Sequence, residues 1–407
     1  MPPPLVSDDL LSADARNFRP SAIRAFAHLL GDPRVISFAG GAPSPRTFPA
    51  ETIAEIAREV IAERCEVALQ YGPTPGLPRL REAIAAIARS RGMNATDANV
   101  LVTTGSQQAL HLLATVLLDP GDVVLVELPT YVGGLSAFHG RRAELAGVAQ
   151  DDAGLVPDAL RETLARLQHE GRRAKALYTI PNFQNPSGRL LAAARRSEVL
   201  AIAREAGIIV IEDDPYGELA FDDEAAAQTT PIAAGDPDFA SVVYLGSFSK
   251  ILAPGLRCGF IAGSPALLRS VQLAKEAADL CGGMLDQSIV EAFCARGELP
   301  AQVARVRAFY RDRGAVLMDA LAEHFAGRAT WTRARGGLFT FVTLEDDVDA
   351  AALVPRAIEA GVAYVPGGAF FVDGSGRNTM RLTFAKEPDD RMREGVARLA
   401  SLFVDRR

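Results

Sequence analysis

The sequence predicts an α/β protein in which a large, mainly parallel sheet, covered by helices on both faces, is followed by a smaller α/β domain. From about residue 50 onward, short apolar runs alternate with amphipathic stretches at helical spacing, the pattern of βαβ units. A chain of 407 residues, 48% of them hydrophobic, can bury at least one large core and build two domains. After a largely helical stretch over 267–325 the pattern changes character, which marks the start of the second domain.

The first twenty residues carry no periodic pattern. Ser21 then reads as the N-cap of a short helix with Ile23, Phe26 and Leu29 at helical spacing. A loop rich in Gly and Pro covers 39–45. Amphipathic helices are expected over 51–63 and 77–91. Strands are expected at 100–103, 123–127, 176–180, 208–212, 242–245 and 259–262, with helical stretches between most of them. In such sheets the ligand crevice opens at the carboxyl ends of the strands. The C-terminal region reads as strands at 338–343 and 379–384, with helices near 350–360 and 389–403. The expected division is an N-terminal segment (1–48) packing with the small domain, a large ligand-binding domain (49–295) and a small domain (296–407). No internal repeat or low-complexity tract interrupts the chain.

A net charge of −7 and a pI near 5.4 argue against a nucleic-acid partner, and no polybasic segment suits anionic lipid. Small molecules are the expected ligands. Cys65, Cys258, Cys281 and Cys294 are far apart and form no metal-type spacing, so a reducing cytoplasm fits and a disulfide framework does not. The five histidines are equally scattered, and no metal site is expected. The N-terminus lacks the basic start and apolar core of a signal peptide, and no apolar run is long enough to cross a bilayer.

Four strand ends carry candidate chemistry. After the first lies Thr104-Gly105-Ser106-Gln107, a glycine turn opening a helix. Its free amides and dipole make a phosphate seat, or Ser106 is a plain N-cap. After another lies the run from Pro181 to Gly188, in which Asn185 can donate to a phenolate oxygen, or which is simply a turn. The run Glu212-Asp213-Asp214-Pro215-Tyr216 places acids and a tyrosine at a third, where a carboxylate could keep a pyridine nitrogen protonated. The fourth carries Lys250, inside Ser247-Phe248-Ser249-Lys250 and followed by Pro254-Gly255-Leu256-Arg257. The chain has only four lysines (Lys175, Lys250, Lys275 and Lys386) among 43 basic residues. Arginine does not give up its proton, so a lysine kept beside two serines and an arginine suits an amine nucleophile next to a bound phosphate. Each signal has an ordinary turn or surface reading; their order and placement favour one cofactor.

These stretches resemble the fold-type I pyridoxal-phosphate aminotransferases of the class I/II group, within it the branch of 2-aminoadipate and kynurenine aminotransferases. The resemblance covers nearly the whole chain. It implies a large domain with a seven-stranded type of sheet, pyridoxal 5'-phosphate as cofactor, and ping-pong transfer of an α-amino group from an amino acid to a 2-oxo acid. It also implies a homodimer with the cofactor at the subunit interface. By matching motif, Lys250 forms the covalent aldimine and carries the proton, Asp213 pairs with the pyridinium nitrogen, and Asn185 and Tyr216 bond the phenolate. Ser106, Gln107, Ser247, Ser249 and Arg257 hold the phosphate, Tyr131 stacks on the ring, and Tyr71 reaches the neighbouring subunit's phosphate. Arg381 takes the substrate α-carboxylate, Gly40 and Gly41 line the substrate side, and Arg24 faces the substrate's distal group.

The same motifs also serve decarboxylation, elimination or oxidation of an amino acid. A cofactor-sensing regulator is the reading from another class. It needs a DNA-binding module ahead of the cofactor domain, and the roughly fifty preceding residues carry no basic recognition helix.

Overall fold

The computed structural model describes residues 10–17 and 34–403. In chain order its strands begin with β1 (Ile36–Ser37), β2 (Val100–Thr103), β3 (Val123–Leu128), β4 (Glu144–Asp151) and β5 (Gly154–Leu155). Then come β6 (Ala174–Thr179), β7 (Ile209–Asp213), β8 (Val242–Ser247) and β9 (Gly259–Ala262). The last are β10 (Ala329–Trp331), β11 (Phe339–Leu344), β12 (Val362–Ala363), β13 (Val365–Pro366) and β14 (Thr379–Thr383).

Eight of these strands form the large sheet, in the order β2-β9-β8-β7-β6-β3-β4-β5. The central run β8-β7-β6-β3-β4 is parallel, β9 is antiparallel to both β8 and β2, and the two-residue β5 folds back on β4. The central strands β3, β6, β7 and β8 are buried almost throughout, as expected where helices cover both faces and the strands need no polar side. The flanking helices are held by one apolar stripe each. Pro78–Ser90 starts on a proline and buries Leu80, Ile84, Ala85 and Ala88. Ala193–Ala206 ends on Gly207, whose φ of 63° a side chain would resist.

The smaller sheet has the order β10-β11-β14-β13 and is antiparallel. It places Arg381 between Phe341 on β11 and Val365 on β13. β1 pairs in parallel with β12, and the long helix Leu299–Phe325 packs against the helix Asp389–Ser401.

Besides several strands of two or three residues, two longer features differ from the sequence reading. β4 was not anticipated: with Glu144, Ala149 and Asp151 exposed and only Ala146 and Val148 buried it has no apolar run, because it lies near the sheet's edge. The helical stretch over 267–325 is three helices, Pro265–Asp279, Met284–Ala295 and Leu299–Phe325, broken first at Leu280-Cys281-Gly282-Gly283. The helix expected after Ser21, and Arg24 within it, lie outside the described residues.

Candidate active site

A cavity of about 570 Å³ opens at the carboxyl ends of β3, β6, β7 and β8 and reaches the small sheet. Its floor is the end of β7. Three consecutive acids stand there, and their partners separate them. Glu212 accepts the amides of Ile232 and Ala233 at 2.8 and 2.9 Å. Asp214 is bridged by Arg91 at 2.7 Å and accepts the Tyr244 hydroxyl at 3.2 Å. Asp213 alone of the three lines the cavity. Its Oδ2 accepts the Tyr178 hydroxyl at 2.8 Å, and its Oδ1 is buried without a hydrogen-bond partner. Burial pushes the Asp213 carboxyl up to about 7, and the Tyr178 bond opposes that rise.

Lys250 enters the same cavity beyond β8, and its Nζ donates to the Gly41 carbonyl at 3.1 Å. Burial and the positive charges of Arg381 and Arg257 bring its ammonium down to about 8, against the pull of Asp213. Ser247 and Ser249 flank it, joined by the Ser249 amide donating to Ser247 Oγ at 3.1 Å.

Opposite stands the start of the helix Ser106–Leu117. Its N-cap is Gly105 with φ of 77°, so the plain capping role weighed for Ser106 falls to the glycine. A Cβ at Gly105 would lie 2.6 Å from Arg257 Nη2, and Arg257 itself donates to the Thr104 carbonyl at 3.1 Å. Only a bare backbone lets the guanidinium close over the helix start. Gln107 donates to the Gly133 carbonyl at 2.9 Å, and the Tyr131 ring lies against Gly133, where a Cβ would meet it at 2.4 Å.

The small sheet supplies Arg381, whose side chain is fully buried. Its Nη1 donates to Asn185 Oδ1 at 2.9 Å and its Nη2 to the Ala39 carbonyl at 2.8 Å. The guanidinium also lies 4.3 Å from the Phe339 ring centroid and 5.3 Å from that of Phe370. Burial lowers its pKa to about 10. Asn185 precedes a cis proline, and burial raises the Tyr216 hydroxyl's pKa against the opposing influence of Arg381 and of the Asn185 side chain.

Thus Gly41, Ser106, Gln107, Tyr131, Asn185, Asp213, Tyr216, Ser247, Ser249, Lys250, Arg257 and Arg381 converge on one cavity. Gly40 is buried beside it without lining it. Tyr71 stands away from it, 77% exposed.

Sequence reasoning missed Tyr178, near the end of β6, and Glu127 on β3. Buried Glu127 accepts from Thr179 Oγ1, the Ile180 amide and Gln184 Nε2 at 2.9, 3.0 and 3.2 Å. Gln184 Nε2 also donates to the Pro129 carbonyl at 2.6 Å, which ties the Asn185 loop to the Tyr131 loop. An acid inside an apolar strand run was the available signal for Glu127.

An amine, an unpartnered buried carboxylate oxygen and a serine- and arginine-lined helix start around one cavity define the site of a fold-type I pyridoxal-phosphate enzyme. Residues 33–399 match the family described as aminotransferase class I and II, and the chain belongs to it. It is 40% identical over 404 residues to aromatic-amino-acid aminotransferase 1 of Thermococcus litoralis, covering 99% of this chain and 96% of that one. Pyrococcus horikoshii kynurenine aminotransferase, solved with PMP, superposes with a TM-score of 0.92 at 39% identity, over 97% of this chain and 96% of that one. The alpha-aminoadipate aminotransferase of Thermus thermophilus, complexed with N-(5'-phosphopyridoxyl)-L-leucine, gives 0.88 at 38% identity, over 97% and 98%.

The chain is therefore a transaminase that uses pyridoxal phosphate and moves an α-amino group to a 2-oxo acid in two half-reactions. The relatives described here are aminotransferases, and they lend no support to the elimination, decarboxylation, oxidation or sensing alternatives. The cavity fits the cofactor: Asp213 Oδ1 lacks a partner where a protonated ring nitrogen would bind, and the bare backbone at Gly105 lets the Arg257 guanidinium close over a helix start that suits an anion. Among the described residues no cluster suits a metal ion, and no helix is long and apolar enough to cross a membrane.

Proposed function

We propose that Lys250 is the amine that joins the cofactor and the base that moves the substrate's proton, with Asp213, Asn185 and Tyr216 fixing the ring and Arg381 the substrate. One observation carries the reading: Asp213 Oδ1 is buried and unpartnered in the cavity that Lys250 and Arg381 also enter. Bound pyridoxal phosphate supplies an electron-withdrawing ring that stabilises the charge left when the Cα–H bond breaks. Asp213 holds a proton on the ring nitrogen through a charge-assisted bond. Asn185 and Tyr216 offer an amide and a hydroxyl to the phenolate oxygen. Ser106, Gln107, Ser247, Ser249, Arg257 and the helix start hold the phosphate, and Tyr131 covers the ring face.

Lys250, with its ammonium lowered to about 8, gives up and recovers a proton close to neutral pH, as transfer between Cα and C4′ needs. Each Nη of Arg381 has a second hydrogen beyond those given to Asn185 and Ala39, enough for a fork on the α-carboxylate. Gly40 and Gly41 let the backbone approach the substrate. The donor we propose is an α-amino acid with a large aromatic or dicarboxylic side chain. Support comes from the volume of the cavity and from the substrates named for the relatives, and Arg24 is the candidate for the distal group.

The working unit in this reading is a cytoplasmic homodimer of chains divided at 1–48, 49–295 and 296–407. Tyr71 is 77% exposed and has Leu69 and Leu280 as fellow exposed apolar residues, as suits a side chain that completes the neighbouring subunit's phosphate site. The test is the visible spectrum of the holoenzyme as amino acids are added without acceptor, then a 2-oxo acid. Bleaching of the yellow band by one donor, and its return with the oxo acid, supports the reading. Release of ammonia or carbon dioxide instead counts against it.

A further inference from the structure

A fully buried lysine lies behind the proposed phosphate seat. Lys275, one of the chain's four lysines, has a side chain with 0% exposure. It stands in the helix Pro265–Asp279, and its Nζ donates to both carboxylate oxygens of Asp279 at 2.6 and 2.8 Å. Asp279 Oδ2 also accepts from Gln108 Nε2 at 2.6 Å, and Gln108 Oε1 accepts the backbone N–H of Thr104 at 2.7 Å. The Thr104 carbonyl accepts in turn from Arg257 Nη2 at 3.1 Å. An unbroken chain of bonds thus runs from Lys275 to the glycine turn at 104–106 and on to the arginine that closes it.

The chemistry of the links gives this chain a direction. A carboxylate only accepts, so Gln108 must present its NH₂ to Asp279 and its oxygen to Thr104. The reverse orientation would set oxygen against carboxylate and N–H against N–H. Asp279 therefore orients Gln108, and Gln108 holds the Thr104 amide. A bare carboxylate two links behind a phosphate seat would repel the dianion, and it would cost more still in a partly buried setting. Lys275 cancels that charge, and among the described residues its Nζ has no other partner.

We propose that Lys275 is a positioning residue for the cofactor's phosphate, acting through Asp279 and Gln108 on the turn at 104–106. This rests on the reading of that turn and Arg257 as the phosphate seat. The experiment measures cofactor release from the holoenzyme and the ³¹P chemical shift of the bound cofactor in Lys275→Met, Lys275→Met/Asp279→Asn, Gln108→Leu and Arg257→Ala. Lys275→Met is expected to release cofactor about tenfold faster and to move the ³¹P resonance. The double variant removes the uncompensated charge but keeps an acceptor for Gln108, so it should recover most of the loss.

Unchanged release and shift in Lys275→Met overturn the proposal. So does a double variant as leaky as the single one, since the effect would then be packing. If Lys275→Met does not fold, Gln108→Leu, which cuts the far link and leaves the ion pair intact, must move both readouts, and no movement overturns the proposal. Arg257→Ala acts at the seat itself: if it leaves release unchanged, the seat reading falls and this inference with it. If it speeds release while Lys275→Met does not, only the role of Lys275 falls.

Discussion

The Tyr178 hydroxyl donates to Asp213 Oδ2 at 2.8 Å and leaves Oδ1 as the unpartnered oxygen of a buried carboxylate. Tyr178 comes from β6 and Asp213 from the adjacent β7, paired in parallel with it. The bond favours the ionised carboxyl against a burial that pushes it to about 7. Asp213→Asn should lower kcat at least about a hundredfold, because an amide cannot hold the ring proton as an anion does. Tyr178→Phe should lower it about tenfold. Without the hydroxyl the Asp213 pKa rises further, so the acid limb of the kcat profile should move to higher pH. A limb that stays in place would leave Tyr178 a packing residue only.

Lys250 carries a second pH dependence, with the opposite charge type. Its ammonium is lowered to about 8 by burial and by Arg381 and Arg257, so the neutral amine that attacks the cofactor's aldehyde grows as pH rises through that value. The rate of cofactor incorporation into the apoenzyme should increase between pH 7 and 9 with a midpoint near 8. In the linkage sense, a lysine lowered on folding opposes folding at low pH. Lys250→Ala should therefore remove the part of the apoenzyme's stability loss that accrues as pH falls from 10.5 to about 8 and stays constant below that, while abolishing turnover. Incorporation that is flat across this range would mean that Lys250 is not the amine.

Tyr71 offers a test across subunits. Lys250→Ala and Tyr71→Ala chains, each impaired alone, should regain activity when unfolded and refolded together. In a hybrid dimer one site has both substitutions and the other has neither, so random pairing restores about a quarter of wild-type sites. Mixed samples no more active than their parents would show that Tyr71 does not serve its neighbour's site.

The strand ends were legible because each motif is local. Thr104-Gly105-Ser106, the Asn185 loop, Asp213 to Tyr216 and Ser247 to Lys250 each follow a run of buried aliphatic residues, and a parallel sheet brings such ends to one edge. β4 escaped because a strand near the sheet's edge needs no apolar run. The break at 280–283 escaped although Gly282 and Gly283 stand in it, because the turn is made by Leu280, a non-glycine residue at φ 60°.

Read alone, the chain was enough to point to its family, its cofactor and most of the residues that line the cavity, since these lie in short contiguous motifs. Folding decided which of three neighbouring acids turns a free oxygen into the cavity, since Asp214 Oδ1 is unpartnered too but Asp214 does not line it. Strand alternation turns Glu212 and Asp214 from the cavity, and Arg91, Tyr244 and the amides at 232 and 233 occupy them. Folding also decided that Tyr178, Glu127 and Lys275 stand behind the site. The charge state and reach of a buried side chain depend on partners scores of residues away, and no local pattern encodes those distances.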